Sequence, residues 1–289
     1  MMKKHDVHII AGPTASGKSA HALDLARKLD GVIINADSLQ LYNGLSLLTA
    51  QPSADDKQQI PHLLYGITPP DVTLSAMDWR KMALAAIDKA IDDKKVPIVV
   101  GGTGFYIKTL INGLSPIPEI PNEVRILSED LMDSLGIDEF FEQLKILDPV
   151  IAEKIDRHNR QRLIRAYEVH AHTGQPMSYW QSLPPVGIPE HFGFIPTLMI
   201  PERDVLYDRC NHRFDKMIEG GIVEEVRQFD DMMMAGKIPF DCALTHALGF
   251  KPLQSHVQGE MDLNTAITLS KNETRHYAKR QVTWFKHQM

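Results

Sequence analysis

Residues 12–19 read GPTASGKS, and the pattern G-x-x-x-x-G-K-[ST] is suited to binding phosphate. Backbone N–H groups of such a turn, and of the helix it opens, point into one concavity and favour an anion. Gly12, Pro13, Thr14, Ala15, Ser16 and Gly17 would form the cradle, Lys18 adds a full positive charge, and the Ser19 hydroxyl can hold Mg2+. Two other stretches carry groups suited to the same place. INADSLQLY (34–42) puts Asp37 directly after an apolar run, where it could ligand Mg2+, accept a proton or cap the next turn. VVGGTGFYIKTLI (99–111) puts two glycines and Thr103 between a strand and a helix. There the backbone and hydroxyl could approach a phosphate, or Thr103 could simply cap the helix. No acidic residue ends that strand, which weakens a reading as an ATPase, whose P-loop lysine is usually paired with a strand-end aspartate.

Basic residues form a second group. Residues 154–165 (KIDRHNRQRLIR) hold five Lys/Arg against one Asp, and 271–286 (KNETRHYAKRQVTWFK) five against one Glu. The whole chain carries −6, so a polyanion would meet local patches rather than a general field. The same patches could be ordinary solvated helix faces. In NRQRLIRAYEVHAHTG, Asn159 is a plausible N-cap and Gly174 a stop. Leu163, Ala166, Tyr167 and His170 share one face, while Gln161 and Arg165, with Arg162 on their flank, form an edge that a phosphate backbone could use. In AKRQVTWFK, Lys279, Arg280 and Gln281 interleave with Trp284 and Phe285, aromatics that serve either as core contacts or as base-stacking platforms.

Positioning these groups requires an α/β frame. HDVHIIAG, GVIINADS and VPIVVGG read as strands, and SAHALDLARKL and LSAMDWRKMALAAIDKAIDDKK as helices between them. Near-continuous apolar strands alternating with helices predict a parallel sheet flanked by helices, of the P-loop NTPase-like kind, with its loops along one edge. GLSPIPEIP (113–121) and QSLPPVGIPEHFG (181–193) read as proline-rich joints bracketing a strand-poor, helical block, which suggests an inserted all-helical subdomain. The expected boundaries are 1–117 for the first part of the core, 118–193 for the insertion and 194–289 for the second part. FIPTLMI supplies another strand, and the chain ends in a long helix from about Asn264.

With 43% hydrophobic and 24% charged residues, the composition is that of an ordinary soluble protein. No apolar run approaches the ~20 residues of a membrane span. The opening MMKKHDVHIIAG lacks an export signal's apolar core and cleavage site, and two cysteines exclude a disulfide scaffold, so a cytoplasmic location is expected.

Taken together, GPTASGKS, NADSLQLY, Pro61–His62, VGGTGFYIKTLINGLSP, NRQRLIRAYEV, LYDRCNHRFDKMIEGGIVEEV, ALGF and KRQVTWFK resemble, in order and over nearly the whole chain, the tRNA dimethylallyltransferase (tRNA isopentenyltransferase) family. The resemblance implies transfer of a dimethylallyl group from its diphosphate to the exocyclic amine of the adenine 3′ of the anticodon, with Mg2+ and release of diphosphate. It implies that Asp37 is the general base, that Thr103 lies near the leaving oxygen, and that Lys18 and Arg213 join the cradle on the diphosphate. It also implies that the tRNA anticodon stem-loop lies between core and insertion. Asp37, Ser38, Leu39, Gln40 and Thr103 would read the extruded base, while Arg125, Gln161, Arg162, Leu163, Ile164, Arg165, Lys279, Arg280 and Gln281 would touch other nucleotides. A monomer with no membrane partner is expected. Phe250 stands where the family commonly has Tyr, the chain stops soon after KRQVTWFKHQM, and no zinc-finger extension follows. Prenyl transfer to free AMP or ADP, a P-loop kinase or ATPase, and a non-catalytic RNA-binding protein remain as alternatives.

Overall fold

The structure, a computed structural model, describes residues 4–289; Met1–Lys3, the start of the stretch read against an export signal, lie outside them. Strands β1 (His5–Ala11), β2 (Gly31–Asn35), β3 (His62–Leu63), β4 (Val96–Gly101) and β5 (Phe192–Leu198) form one parallel sheet in the order β3-β2-β4-β1-β5. β1, β2 and β4 lie where the apolar runs predicted them, and β5 starts two residues before the expected FIPTLMI; the two-residue β3 is too short to leave a periodic signal. Helices α1 (Lys18–Leu29), α2 (Ala54–Gln59), α3 (Ala76–Asp92) and α4 (Gly104–Asn112) lie along the first part of the chain. Neighbouring residues of a strand face opposite sides of the sheet. Accordingly Ile10, Ile33 and Ile98 pack with Ala22 and Ala26 of α1, while Ile9, Ile34 and Val99 pack with Trp79, Ala83 and Ile87 of α3. Burial on both sides is why these strands read as continuous apolar runs.

The chain runs from β1 to β2 past the position that β4 later fills, so the strand order reverses between β1 and β4. Open α/β sheets bind ligands at the carboxyl ends of strands at such a switch point. Ala11 pairs with both Gly101 and Leu198, which brings the ends of β1, β4 and β5 level there.

Residues 112–188 form a separate compact unit with its own core. It contains α5 (Asn122–Leu135), α6 (Ile137–Leu147), α7 (Pro149–Ala152), α8 (Arg160–Thr173) and α9 (Met177–Ser182). Asn159 does cap α8, its side chain accepting from Arg162 N–H at 3.2 Å, and Gly174 ends the helix in the left-handed region. The unit begins and ends about five residues before the expected 118–193. The cause is a backbone bridge between the two proline-rich joints. Leu114 N–H donates to Val186 O at 3.1 Å and Val186 N–H returns to Leu114 O at 2.8 Å, tying both joints into the helical unit.

Residues 189–289 complete the first unit with β5, α10 (Arg203–Glu219), α11 (Ile222–Met234), α12 (Phe250–Val257) and α13 (Leu263–Gln288). Phe250 is fully buried, edge-on to Phe229 with centroids 5.7 Å apart. Phenylalanine suits that apolar position, since a buried hydroxyl there would need a partner.

Candidate active site

A cavity of about 300 Å3 opens at the switch point. Residues Thr14 to Ser19 line it from the turn after β1, Asp37 and Gln40 from the end of β2, and Gly101 and Gly102 from the end of β4. Arg209 and Arg213 reach it from α10. Gly17, in the left-handed region, is the N-cap of α1, so Lys18 and Ser19 are the first helical residues and their N–H groups lack intrahelical acceptors. Lys18 Nζ donates to Pro13 O at 2.6 Å, folding back over its own loop. Burial lowers its pKa to about 8, opposed by the nearby Asp37 carboxylate and assisted by Arg213.

Asp37 belongs to the same charge cluster. Burial raises its pKa, and Lys18 together with the Leu39 N–H, which donates to Asp37 Oδ1 at 3.1 Å, pulls it back. Asp37 therefore does cap the following turn, as a strand-end aspartate often does, and faces the cavity as well. What holds it is Asn35, fully buried, whose Oδ1 accepts from Asp37 N–H at 2.8 Å while Nδ2 donates to Asp37 O and Leu64 O, both at 2.9 Å. Sequence reasoning passed over Asn35, although an asparagine ending a buried apolar strand needs partners. Gln40 Nε2 donates to Thr49 O and Ala50 O, which fixes its amide.

Thr103 occupies the N-cap position of α4, its carbonyl accepting from Tyr106 N–H at 3.0 Å. Its hydroxyl does not cap the helix but accepts from Ser38 N–H at 3.0 Å, linking the β4 turn to the β2 turn. Thr103 sits beside the cavity-lining Gly102 and is not itself on the wall. The turn needs glycine because of close approaches: a Cβ on Gly101 would lie 2.0 Å from Ala36 O, and one on Gly104 2.2 Å from the Trp284 ring. Trp284 and the buried Phe285 are thus packing residues.

Arg213 lies against the loop after β1, with Nη2 donating to Thr14 Oγ1 at 2.6 Å, and burial lowers its pKa. Arg209, four residues earlier on the same helix face, donates to Ser16 O at 3.3 Å. Its spacing from Arg213 was a legible signal that went unused. Tyr65, the aromatic on the cavity wall, had no motif to reveal it. Burial and the Asp37 charge raise its phenol pKa.

Three of the residues expected to touch tRNA have side chains turned into the protein. Leu163 and Ile164 are 0% and 7% exposed in the core of the helical unit, because the apolar stripe of α8 must face its neighbours. Gln281 is buried, with Oε1 accepting from Thr14 N–H and Nε2 donating to Gly102 O, both at 2.8 Å. Gln161, Arg162 and Arg125 are exposed on the helical unit, and Arg165 is partly so. Arg125 and Arg165 both pair with the buried Glu168, the former at 3.4 Å. Lys279 is exposed on α13, and Arg280 lines a second cavity with His246, Lys251, Glu273 and His276. Among the described residues no helix is long and apolar enough to cross a membrane.

Residues 40–288 match the family model described as IPP transferase. A tRNA dimethylallyltransferase of Rhodospirillum centenum is 43% identical over 283 residues, covering 98% of this chain and 89% of that one. One of Paramagnetospirillum magneticum is 44% identical over 281 residues, covering 97% and 88%. Among solved structures, a eukaryotic dimethylallyltransferase acting on tRNA superposes with a TM-score of 0.84 at 28% identity, over 97% of this chain and 69% of that one.

Proposed function

This chain belongs to the IPP transferase family, and from that premise we propose how its residues divide the work of moving a dimethylallyl group from its diphosphate to tRNA. The acceptor in this reading is the exocyclic amine of the adenine 3′ of the anticodon. That nitrogen is a weak nucleophile, because its lone pair is delocalised into the ring. It forms a bond to the allylic carbon as the carbon–oxygen bond to diphosphate breaks. The amine proton passes to the Asp37 carboxylate, and the diphosphate leaves with the electron pair. Asp37 is suited to the task because burial makes it more basic than a surface carboxylate. Lys18, Arg213 and the first N–H groups of α1 face the charge that grows on the leaving group, the largest lever available.

The observation that carries this reading is that a desolvated carboxylate and a cationic phosphate cradle share one cavity. Thr103 acts in this proposal by holding the Ser38 turn beside the site. In this proposal Mg2+ would be held at the Ser19 hydroxyl, which lines the cavity. No group of three or more His, Cys, Asp or Glu able to hold a metal occurs among the described residues, so its other ligands would be diphosphate oxygens and water. Bound there, the ion would neutralise charge on the leaving diphosphate. The exposed Gln161, Arg162 and Arg125 would meet the anticodon stem-loop, and we take the enzyme to work as a cytoplasmic monomer.

The test supplies purified protein with labelled dimethylallyl diphosphate and Mg2+, and tRNA, AMP or ADP as acceptor. Label is expected on tRNA alone. Label on the free nucleotides instead would move the acceptor assignment, and phosphate release from ATP without prenyl transfer would favour a kinase or ATPase.

A further inference from the structure

Gln281 is a polar side chain on the buried stripe of α13, aligned with Thr274, Ala278 and Phe285 at helical spacing. A polar group placed there has partners in the interior. Its two partners belong to the two loops that meet at the switch point. Oε1 accepts from Thr14 N–H in the P-loop, and Nε2 donates to the Gly102 carbonyl after β4. An N–H can only donate and a carbonyl only accept, so these partners dictate a single orientation of the amide. A Cβ on Gly102 would lie 2.5 Å from Nε2, so a side chain there would displace the Gln281 amide. Thr14 is held from its other end as well, its hydroxyl accepting from Arg213.

We propose that Gln281 is a positioning residue for the diphosphate cradle, stapling the P-loop to the Gly101–Gly102 turn, rather than a contact to tRNA. The proposal rests on the reading above that this cradle takes a diphosphate. Turning the carboxamide outward to a nucleotide would leave the part-buried Thr14 N–H and the buried Gly102 O without this partner, and the unpaired buried carbonyl is a loss that a solvent-exposed contact does not offset. Thr14 N–H, engaged by Gln281, acts on the ligand only by setting the position of the loop.

The test compares Gln281→Leu and Gln281→Glu with the wild-type full chain, using inorganic diphosphate with Mg2+ and, separately, an anticodon stem-loop RNA. Gln281→Leu loses both hydrogen bonds and ionised Gln281→Glu the one donated to Gly102 O, so at pH 8 both variants should bind diphosphate at least about tenfold more weakly. Their RNA affinity should be unchanged. As pH falls, the carboxylate introduced by Gln281→Glu takes up a proton and again offers one acceptor and one donor. The diphosphate affinity of that variant, relative to wild type at the same pH, should then recover, while that of Gln281→Leu does not. Lost RNA affinity with diphosphate binding intact would overturn the proposal, as would variants indistinguishable from wild type. Should both variants fail to fold, hydrogen exchange at Thr14 N–H in the wild-type chain decides: slow exchange is expected, and the rate of an open loop amide overturns it. Wild-type protein that binds no diphosphate would overturn the cradle reading as well.

Discussion

Asp37 and Lys18 are each driven toward neutrality by burial and toward charge by one another. A ligand that arrives with negative charge changes that balance. Bound diphosphate favours charged Lys18 and so raises its pKa above about 8, which means that binding takes up a proton on the alkaline side. Affinity for inorganic diphosphate should therefore fall as pH rises through about 8, by up to about tenfold per pH unit, measured by calorimetry between neutral and alkaline buffers. As the proposed base, Asp37 would work in the opposite limb, since only its carboxylate accepts a proton and transfer should fail as pH drops below its raised pKa. Asp37→Asn keeps the shape and the acceptor for Leu39 N–H but removes the base. It should cut single-turnover transfer on the order of 10²–10⁴-fold while leaving stem-loop binding nearly intact. Equal loss of binding would make Asp37 a recognition residue.

The turn after β4 can be used to separate two kinds of crowding. A Cβ on Gly101 would meet the backbone carbonyl of Ala36 in β2's outgoing turn, and backbone there cannot yield without disturbing the sheet. A Cβ on Gly104 would first meet the Trp284 side chain of α13. Gly104→Ala should cost about 1–3 kcal/mol in urea unfolding, the usual range for an overpacked site. Combining it with Trp284→Leu should give less than the sum of the two single losses, because the clash is gone. Gly101→Ala has no comparable side-chain rescue and should remain destabilised in every such background. Strict additivity for the Gly104 pair would mean that α13 shifts as a unit to relieve the contact.

The chain comprises two compact units with separate cores, one holding the cradle and Asp37, the other the Arg/Gln edge of α8. Chemistry and RNA binding should then be separable by mutation. Arg162→Ala with Arg165→Ala should weaken tRNA binding and reduce the slope of log affinity against log salt by up to about two, while inorganic diphosphate binding by the core is unchanged. Arg165 is already paired with Glu168, so the single Arg162→Ala should account for most of the effect. An unchanged salt slope would make these two arginines ordinary surface charge.

Much of this was legible in local pattern. GPTASGKS follows an apolar strand and opens a helix, and Asn159 and Gly174 bound α8, because turn and cap chemistry is written in neighbouring residues. The parallel sheet followed from strands buried on both faces, and the helical insertion from proline-rich joints around a strand-poor block. Interactions between distant residues were not legible. Whether Gln281 faces a nucleotide or the P-loop depends on a hydrogen bond spanning 267 positions, and Thr103 reaches Ser38 across 65. Period and spacing say which face of a helix a residue occupies, not what that face meets. For that reason the sequence alone determined the cradle, the carboxylate and the frame that carries them. Only the tertiary structure decided that Leu163, Ile164 and Gln281 look inward, that Asn35 holds the Asp37 backbone and that Arg209 and Tyr65 line the cavity, since partners so far apart in the chain are brought together only when the sheet assembles and the helices pack on it.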